Sequence, residues 1–238
     1  MDYNEARLIG TLQADPEIRT TNSGSTYANL RLMTEVPYVK DGEQKTSKEF
    51  HRVVLFGKLA DIAADRFKKD QALLVAGRVD TREYEDSEGV KKSITEIVAR
   101  DAVLLSNSPE GIQHVNSVML VGRVGQDPKI GNGFMSFGLA TKEVYGTNDD
   151  RKEKTTWHDV AVFNENAPAE GSVSKGGSTV VTGALHTRSW DSNGQKFYRT
   201  GIVADNVSPF TPPAKAPEQT NEEEGSRRTS RGAPAPFA

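Results

Sequence analysis

The chain has 238 residues, with 30 Lys and Arg against 33 Asp and Glu, a net charge of −3 and no cysteine. These totals exclude disulfides, thiolate metal sites and cysteine nucleophiles, and they give no support to a strongly basic nucleic-acid binder. The longest apolar runs, 53–56 and 72–76, are strand-length and far short of a membrane span of about 20 residues. The acidic, polar start has no signal-peptide pattern, so a soluble cytoplasmic protein is expected.

In chain order, alternating apolar and polar residues bounded by Gly, Asp, Asn and Pro predict strands near 5–12, 27–37, 49–56, 72–84 and 93–105. A helix is predicted over about 58–69, where Leu59, Ile62, Ala63, Arg66 and Phe67 fall on one helical stripe facing the sheet. A linker at 108–115 follows. Further strands are predicted near 117–124, 134–144, 156–163, 178–190 and 197–208. The segment that should carry the second helix, 164–177, contains Pro168, Gly171, Gly176 and Gly177, and a loop or single turn is expected there. From Thr211 the chain is rich in Pro, Glu, Arg and Ser, and 211–238 is expected to be a disordered tail.

The second set of elements repeats the first. Asn4, Gly10, Asp15 and Pro16 recur 112 positions later as Asn116, Gly122, Asp127 and Pro128. The echo continues from Phe50 and His51 to Trp157 and His158, and from Thr81, Arg82 and Tyr84 to Thr187, Arg188 and Trp190. Solenoid repeats run to about 50 residues, so this longer period signals a duplicated domain, with copies at 1–107 and 116–210. Five strands with a helix between the third and fourth is the order of the OB-fold. The predicted class is all-β with one short helix: two tandem five-stranded OB-fold barrels and the tail. Whatever recurs in both copies is the first place to look for function.

Four aromatic positions recur: Tyr38, Phe50, Phe56 and Tyr84 in the first copy, Tyr145, Trp157, Phe163 and Trp190 in the second. Phe50 and Phe56, like Trp157 and Phe163, are six apart on one strand and therefore share a sheet face. Core packing is the competing reading for each, most seriously for Phe56 and Phe163 among apolar neighbours. Against it stand polar or basic flanks, as in Lys48, Glu49, His51 and Arg52 around Phe50. Aromatic faces interleaved with cations suit a nucleic-acid single strand, whose bases stack while Lys and Arg neutralise phosphates. Candidate phosphate contacts beside the aromatics are Lys48, Arg52, Arg82, Lys142, Arg188 and Lys196.

The run 50–60, Phe-His-Arg-Val-Val-Leu-Phe-Gly-Lys-Leu-Ala, resembles the signature of bacterial single-stranded DNA-binding proteins. So do the spaced Asn4, Gly10, Asp15, Pro16 and Glu17 and the Thr-Arg-x-aromatic strand; the second copy is similar more loosely, with Asp159 where the first has Arg52. The resemblance implies that the eight aromatics stack bases and that His51 and His158 lie at a subunit contact. It also implies a tandem variant that presents four OB domains as a homodimer. Members of the family close on an acidic tip ending in Pro-Phe that docks partner proteins. Here Pro236 and Phe237 are followed by Ala238, with the acids Glu222, Glu223 and Glu224 well upstream, so docking of replication and repair proteins through this tail is an open expectation.

The expected function is sequence-tolerant binding and protection of single-stranded DNA in replication, recombination and repair. No catalytic residue, metal site or cofactor is predicted, and the expected location is the cytoplasm in association with the nucleoid. The alternative is a duplicated OB scaffold in which the second copy mainly mediates assembly. A hydrolase acting on DNA ends is argued against by the missing carboxylate and histidine clusters.

Overall fold

The computed structural model describes residues 2–21, 23–40, 42–85, 89, 91–145, 151–163, 166–192 and 194–211. The first copy contains β1 (Tyr3–Leu12), β2 (Glu17–Thr20), β3 (Thr26–Lys40), β4 (Glu43–Phe56), α1 (Lys58–Arg66), β5 (Ala72–Glu85) and β6 (Lys91–Ser106). The second contains β7 (Val115–Val124), β8 (Lys129–Gly131), β9 (Phe134–Tyr145), β10 (Lys152–Phe163), β11 (Ser178–Ser192) and β12 (Gln195–Phe210). Two short strands, β2 and β8, lie outside the sequence expectation; each pairs along the start of the following strand.

Each copy closes on itself. In the first, β1 pairs with β3, β3 with β4, β4 with β6 in parallel, β6 with β5, and β5 with β1. The second repeats this ring as β7–β9–β10–β12–β11–β7. Both are five-stranded OB barrels, filled by inward residues such as Leu8, Leu32, Leu55 and Leu73, or Leu120, Leu139 and Val181.

Several of the recurrent residues prove to be architectural. At Gly10 strand β1 leaves β7 to meet β3 while staying paired with β5, and a Cβ there would lie 2.3 Å from the carbonyl oxygen of Met33. Gly122 makes the same crossing 2.2 Å from the Ala140 oxygen. The β1–β5 ladder ends at Ala6, and the Asn4 side chain continues it by donating to the Val79 carbonyl (2.8 Å) and accepting the Val79 N–H (2.9 Å). Asn116 brackets Leu185 in the same way, at 2.8 and 3.0 Å. Recurrence therefore marks barrel closure here, and function has to be sought in the aromatics.

The helix is shorter than its periodicity suggests. Past Arg66 the backbone N–H of Lys68 donates to Gln71 Oε1 and that of Lys69 to Asp15 Oδ1, both at 2.8 Å, so side chains capture the donors a further turn would use. Phe67 is buried from extended backbone just beyond the helix, and Arg66 is exposed. In the second copy the described residues of this segment form turns. Val173 takes the place of Phe67 in the core, and Asp127 Oδ1 accepts the Lys175 N–H at 2.8 Å as Asp15 does Lys69. Asp70, at a φ of 66°, corresponds to Gly176 at 79°, and both donate to the last residue of the barrel's first strand, at 2.9 and 2.7 Å. Among the described residues of this segment no α-helix forms, yet the plug and the anchors remain.

The two barrels join through an antiparallel ladder between β1 and β7, with Tyr3 opposite Val121 and Ile9 opposite Val115. Residues 112 apart exchange roles across this ladder, so the copies meet about a pseudo-two-fold axis, as subunits meet in an isologous dimer. Buried Glu49 accepts from His186 Nδ1 (2.6 Å) and from the Thr187 N–H (3.0 Å) of the other copy. At the pseudo-equivalent place Asp80 holds Lys154 Nζ at 2.6 Å, and Arg78 pairs with Glu143 at 3.0 Å.

Candidate nucleic-acid interface

Outward residues of each barrel follow from strand alternation. On β4 Phe50, Arg52 and Phe56 point out while His51, Val53 and Leu55 point in; on β10 Trp157, Asp159 and Phe163 point out while His158, Val160 and Val162 point in. All eight aromatics singled out from the sequence are exposed, from 40% for Tyr84 to 55% for Trp157. None fills a core, Phe56 and Phe163 included.

Further aromatics on these faces escape the sequence reading. Tyr27 lies opposite Phe56 with ring centroids 6.1 Å apart, and Phe134 lies opposite Phe163 at 6.4 Å. Tyr27 and Phe134 are 107 residues apart, as are Phe50 and Trp157, so the repeat offset is the signal that finds them. On the β11–β12 hairpin, Phe197 stacks on Trp190 at 5.8 Å with the rings 16° from parallel, and Tyr198 beside it is 64% exposed. Tyr38 and Tyr145 stand on the outer arms of the β3–β4 and β9–β10 hairpins.

Each barrel has a groove across this face. That of the first is lined by Arg31, Lys48, Phe50 and Arg52 together with the acids Asp15, Glu17 and Glu49. The Arg31 guanidinium sits 5.5 Å from the centre of the Phe50 ring, which is about half exposed. That of the second is lined by Lys129, Trp157, Phe163, Arg188 and Arg199. Arg188 lies 5.9 Å from the Trp190 ring. Asp159 is engaged by Arg199 through both carboxylate oxygens, at 2.5 and 2.7 Å, so the second groove carries a neutralised pair where the first carries Arg52.

The cations picked out by the sequence divide by environment. Lys48, Arg52 and Arg188 line grooves, Lys48 with Glu35 at 3.5 Å. Lys196 lies 5.9 Å from the Tyr198 ring. Arg82 is bound to buried Glu96 at 3.1 Å. Lys142 donates to Glu153 at 2.7 Å, a bond that raises the lysine pKa and lowers that of the glutamate. Neither Arg82 nor Lys142 lines a groove. Arg31 and Arg199 do, and sequence proximity misses them, because strand neighbours of an aromatic in sequence point away from it while cross-strand neighbours share its face.

His51 and His158 are buried, each sharing a 2.8 Å hydrogen bond with the hydroxyl of Thr34 or Thr141, and burial lowers the pKa of each to about 4. Each serves strands of its own barrel, with His158 one bond removed from the other copy, since Asn4 reaches Thr141 at 3.4 Å. Pro236 and Phe237 lie outside the described residues. Among the described residues no cluster of His, Cys, Asp and Glu suits a metal, and no helix is long and apolar enough to cross a membrane.

A model of the single-strand binding protein family matches residues 3–105 and again 115–210. The single-stranded DNA-binding protein of Deinococcus radiodurans is 30% identical over 223 residues, spanning 86% of this chain and 74% of that one. That of Thermus aquaticus is 29% identical over 232 residues, spanning 90% and 87%. The crystal structure of the wild-type Thermus aquaticus protein superposes with a TM-score of 0.71 at 27% identity, over 90% of this chain and 97% of that one. A deletion mutant of the same protein gives 0.73 at 26% identity, over 90% and 98%.

Proposed function

The chain belongs to the single-strand binding protein family, and we propose that it binds single-stranded DNA non-catalytically through one groove on each barrel. The observation that carries this reading is the exposure of all eight recurrent aromatics, apolar surface of the kind that marks a binding face. Phe50, Phe56, Tyr38 and Tyr84 stack bases on the first barrel, and Trp157, Phe163, Tyr145 and Trp190 on the second. Arg52, Lys48, Arg188 and Lys196 meet phosphates, joined by Arg31. Arg82 and Lys142, held by carboxylates, contribute less. Stacking is indifferent to base identity, so the protein would coat and protect exposed strands during replication, recombination and repair, in the cytoplasm at the nucleoid.

Assembly is part of the same reading. The sheet that runs through β6, β5, β1 and β7 exposes Val103, Leu105 and Met119 on its outer side, each more than 40% accessible. A second copy of the chain covers this face and brings the number of barrels to four. Sedimentation of the intact chain at a mass of two chains supports this, and a monomer across micromolar concentrations removes it.

Both tryptophans belong to the second barrel, so titration with oligo(dT) reads that groove directly, with a gel shift in parallel. Strong quenching of Trp157 and Trp190 is expected. A gel shift without quenching would leave binding to the first barrel and make the second a scaffold, a reading that the Asp159–Arg199 pair favours. Absence of both signals would remove the proposed function.

A further inference from the structure

The β11–β12 hairpin divides its residues between two grooves. Cross-strand partners share a face, and successive pairs alternate. His186 with Gly201, Arg188 with Arg199 and Trp190 with Phe197 therefore form one face, which belongs to the second barrel's own groove. Thr187 with Thr200 and Ser189 with Tyr198 form the opposite face, which lines the groove of the first barrel beside Phe50 and Arg52. The hairpin is held in this place by buried Glu49 of β4, which binds His186 and the Thr187 N–H, and by Thr95, which donates to the Thr200 carbonyl at 3.5 Å.

The pseudo-symmetric hairpin of the first barrel, β5–β6, has no such ring. The repeat offsets place Glu83 at the position of Ser189 and Ser93 at that of Tyr198. Tyr198 is also the most exposed of the large apolar side chains among the described residues, at 64%, and Lys196 approaches its ring at 5.9 Å. An aromatic is thus held openly over the neighbour's groove, which Arg31, Phe50 and Arg52 also line.

We propose that the first barrel's DNA site is composite, with Tyr198 of the second barrel stacking a base of the strand that lies on Phe50. The hairpin is then a partition with an aromatic on each side: Tyr198 serves one groove, and Trp190 on Phe197 serves the other. A strand crossing it is gripped by both barrels, in a fixed and asymmetric order. This inference rests on the proposed single-strand binding.

The test uses the full chain and oligo(dT) affinities for Tyr198→Ala, Phe50→Ala, Trp157→Ala and the two doubles that contain Tyr198→Ala. Tyr198→Ala is expected to weaken binding about 5- to 150-fold, the range that loss of one stacked base gives. Tyr198→Phe should bind as the parent does. The double with Phe50→Ala should lose less than the product of the single losses, while the double with Trp157→Ala should lose the full product. Additivity with Phe50→Ala, coupling to Trp157→Ala instead, or unchanged affinity in Tyr198→Ala while Phe50→Ala binds weakly overturns the composite site and leaves single-strand binding standing. Failure of the parent chain to bind oligo(dT) removes both.

Discussion

Replacing Asp159 by asparagine should strengthen DNA binding. The carboxylate holds the Arg199 guanidinium through both oxygens inside the second groove, and each side chain is about half exposed. At the equivalent position of the first barrel stands Arg52, which forms no salt bridge among the described residues, though, after the Arg19 hydrogen bond, its charge helps lower the pKa of Glu17 in the same groove. The neutral amide of Asp159→Asn would keep the shape and release the guanidinium for a phosphate. One added contact to a single strand steepens the dependence of log K on log salt by about 0.7, which at about 0.1 M salt corresponds to roughly fivefold tighter binding. A half-exposed pair contributes only about 0–1 kcal/mol to stability, so the melting temperature should barely move. Fluorescence titration with oligo(dT) from about 50 to 400 mM salt gives the slope. Arg52→Asp should flatten it by a similar amount. Parallel slopes and equal affinities for Asp159→Asn and the parent would refute the argument, because Arg199 would then have no phosphate to meet.

Two further predictions concern the barrels themselves. His51 and His158 stay neutral in the folded chain down to about pH 4, whereas unfolded histidine takes a proton near pH 6.5. The unfolded state therefore binds more protons as pH falls through this window, and stability present above pH 6.5 is lost towards pH 4, by about 2 kcal/mol per histidine at pH 5. Urea midpoints at pH 7 and pH 5 measure this; His51→Gln with His158→Gln should flatten the difference, and an unchanged pH dependence in that variant sinks the assignment. Gly122→Ala places a methyl against the Ala140 carbonyl, 2.2 Å from ideal Cβ to oxygen, and should lower stability by about 1–3 kcal/mol with oligo(dT) affinity per folded molecule intact. A variant as stable as the parent would show that β7 and β9 do not need this approach.

Fold class is legible because its signals are local and doubled. Strand alternation, turn residues and the stripe on 58–67 each occur where the repeat requires, and Pro168 with three glycines marks the missing helix. The short strands β2 and β8 are not legible, since four and three residues carry too few alternations to declare a period. At the candidate site, sequence neighbours mislead in a systematic way. Lys142 is close to Tyr145 in sequence, yet it donates to Glu153 away from the grooves. Arg31 and Arg199 pass unnoticed although each stands across a strand pairing from another groove cation: Arg31 faces Arg52 in the register, and Arg199 faces Arg188. Cross-strand proximity depends on pairing register, and a single sequence does not display it.

The duplication also explains why the two grooves differ. In a dimer of identical chains an isologous contact imposes one residue on both of its halves, so a change that suits one half must suit the other. Joining the copies in one chain removes that constraint. Glu49 meets His186 at one side of the axis, while Thr156 and Lys154 meet Asp80 at the other. The same freedom allows Arg52 in one groove and the Asp159–Arg199 pair in its counterpart, and Tyr198 on one hairpin against Ser93 on the other. Because the anchoring residues Asn4, Gly10 and Asp15 are kept in both copies, the barrels hold their geometry while their surfaces diverge. Two unequal grooves fixed in order along one chain would favour one orientation of a strand that crosses both, where two-fold-related sites leave the two orientations equivalent.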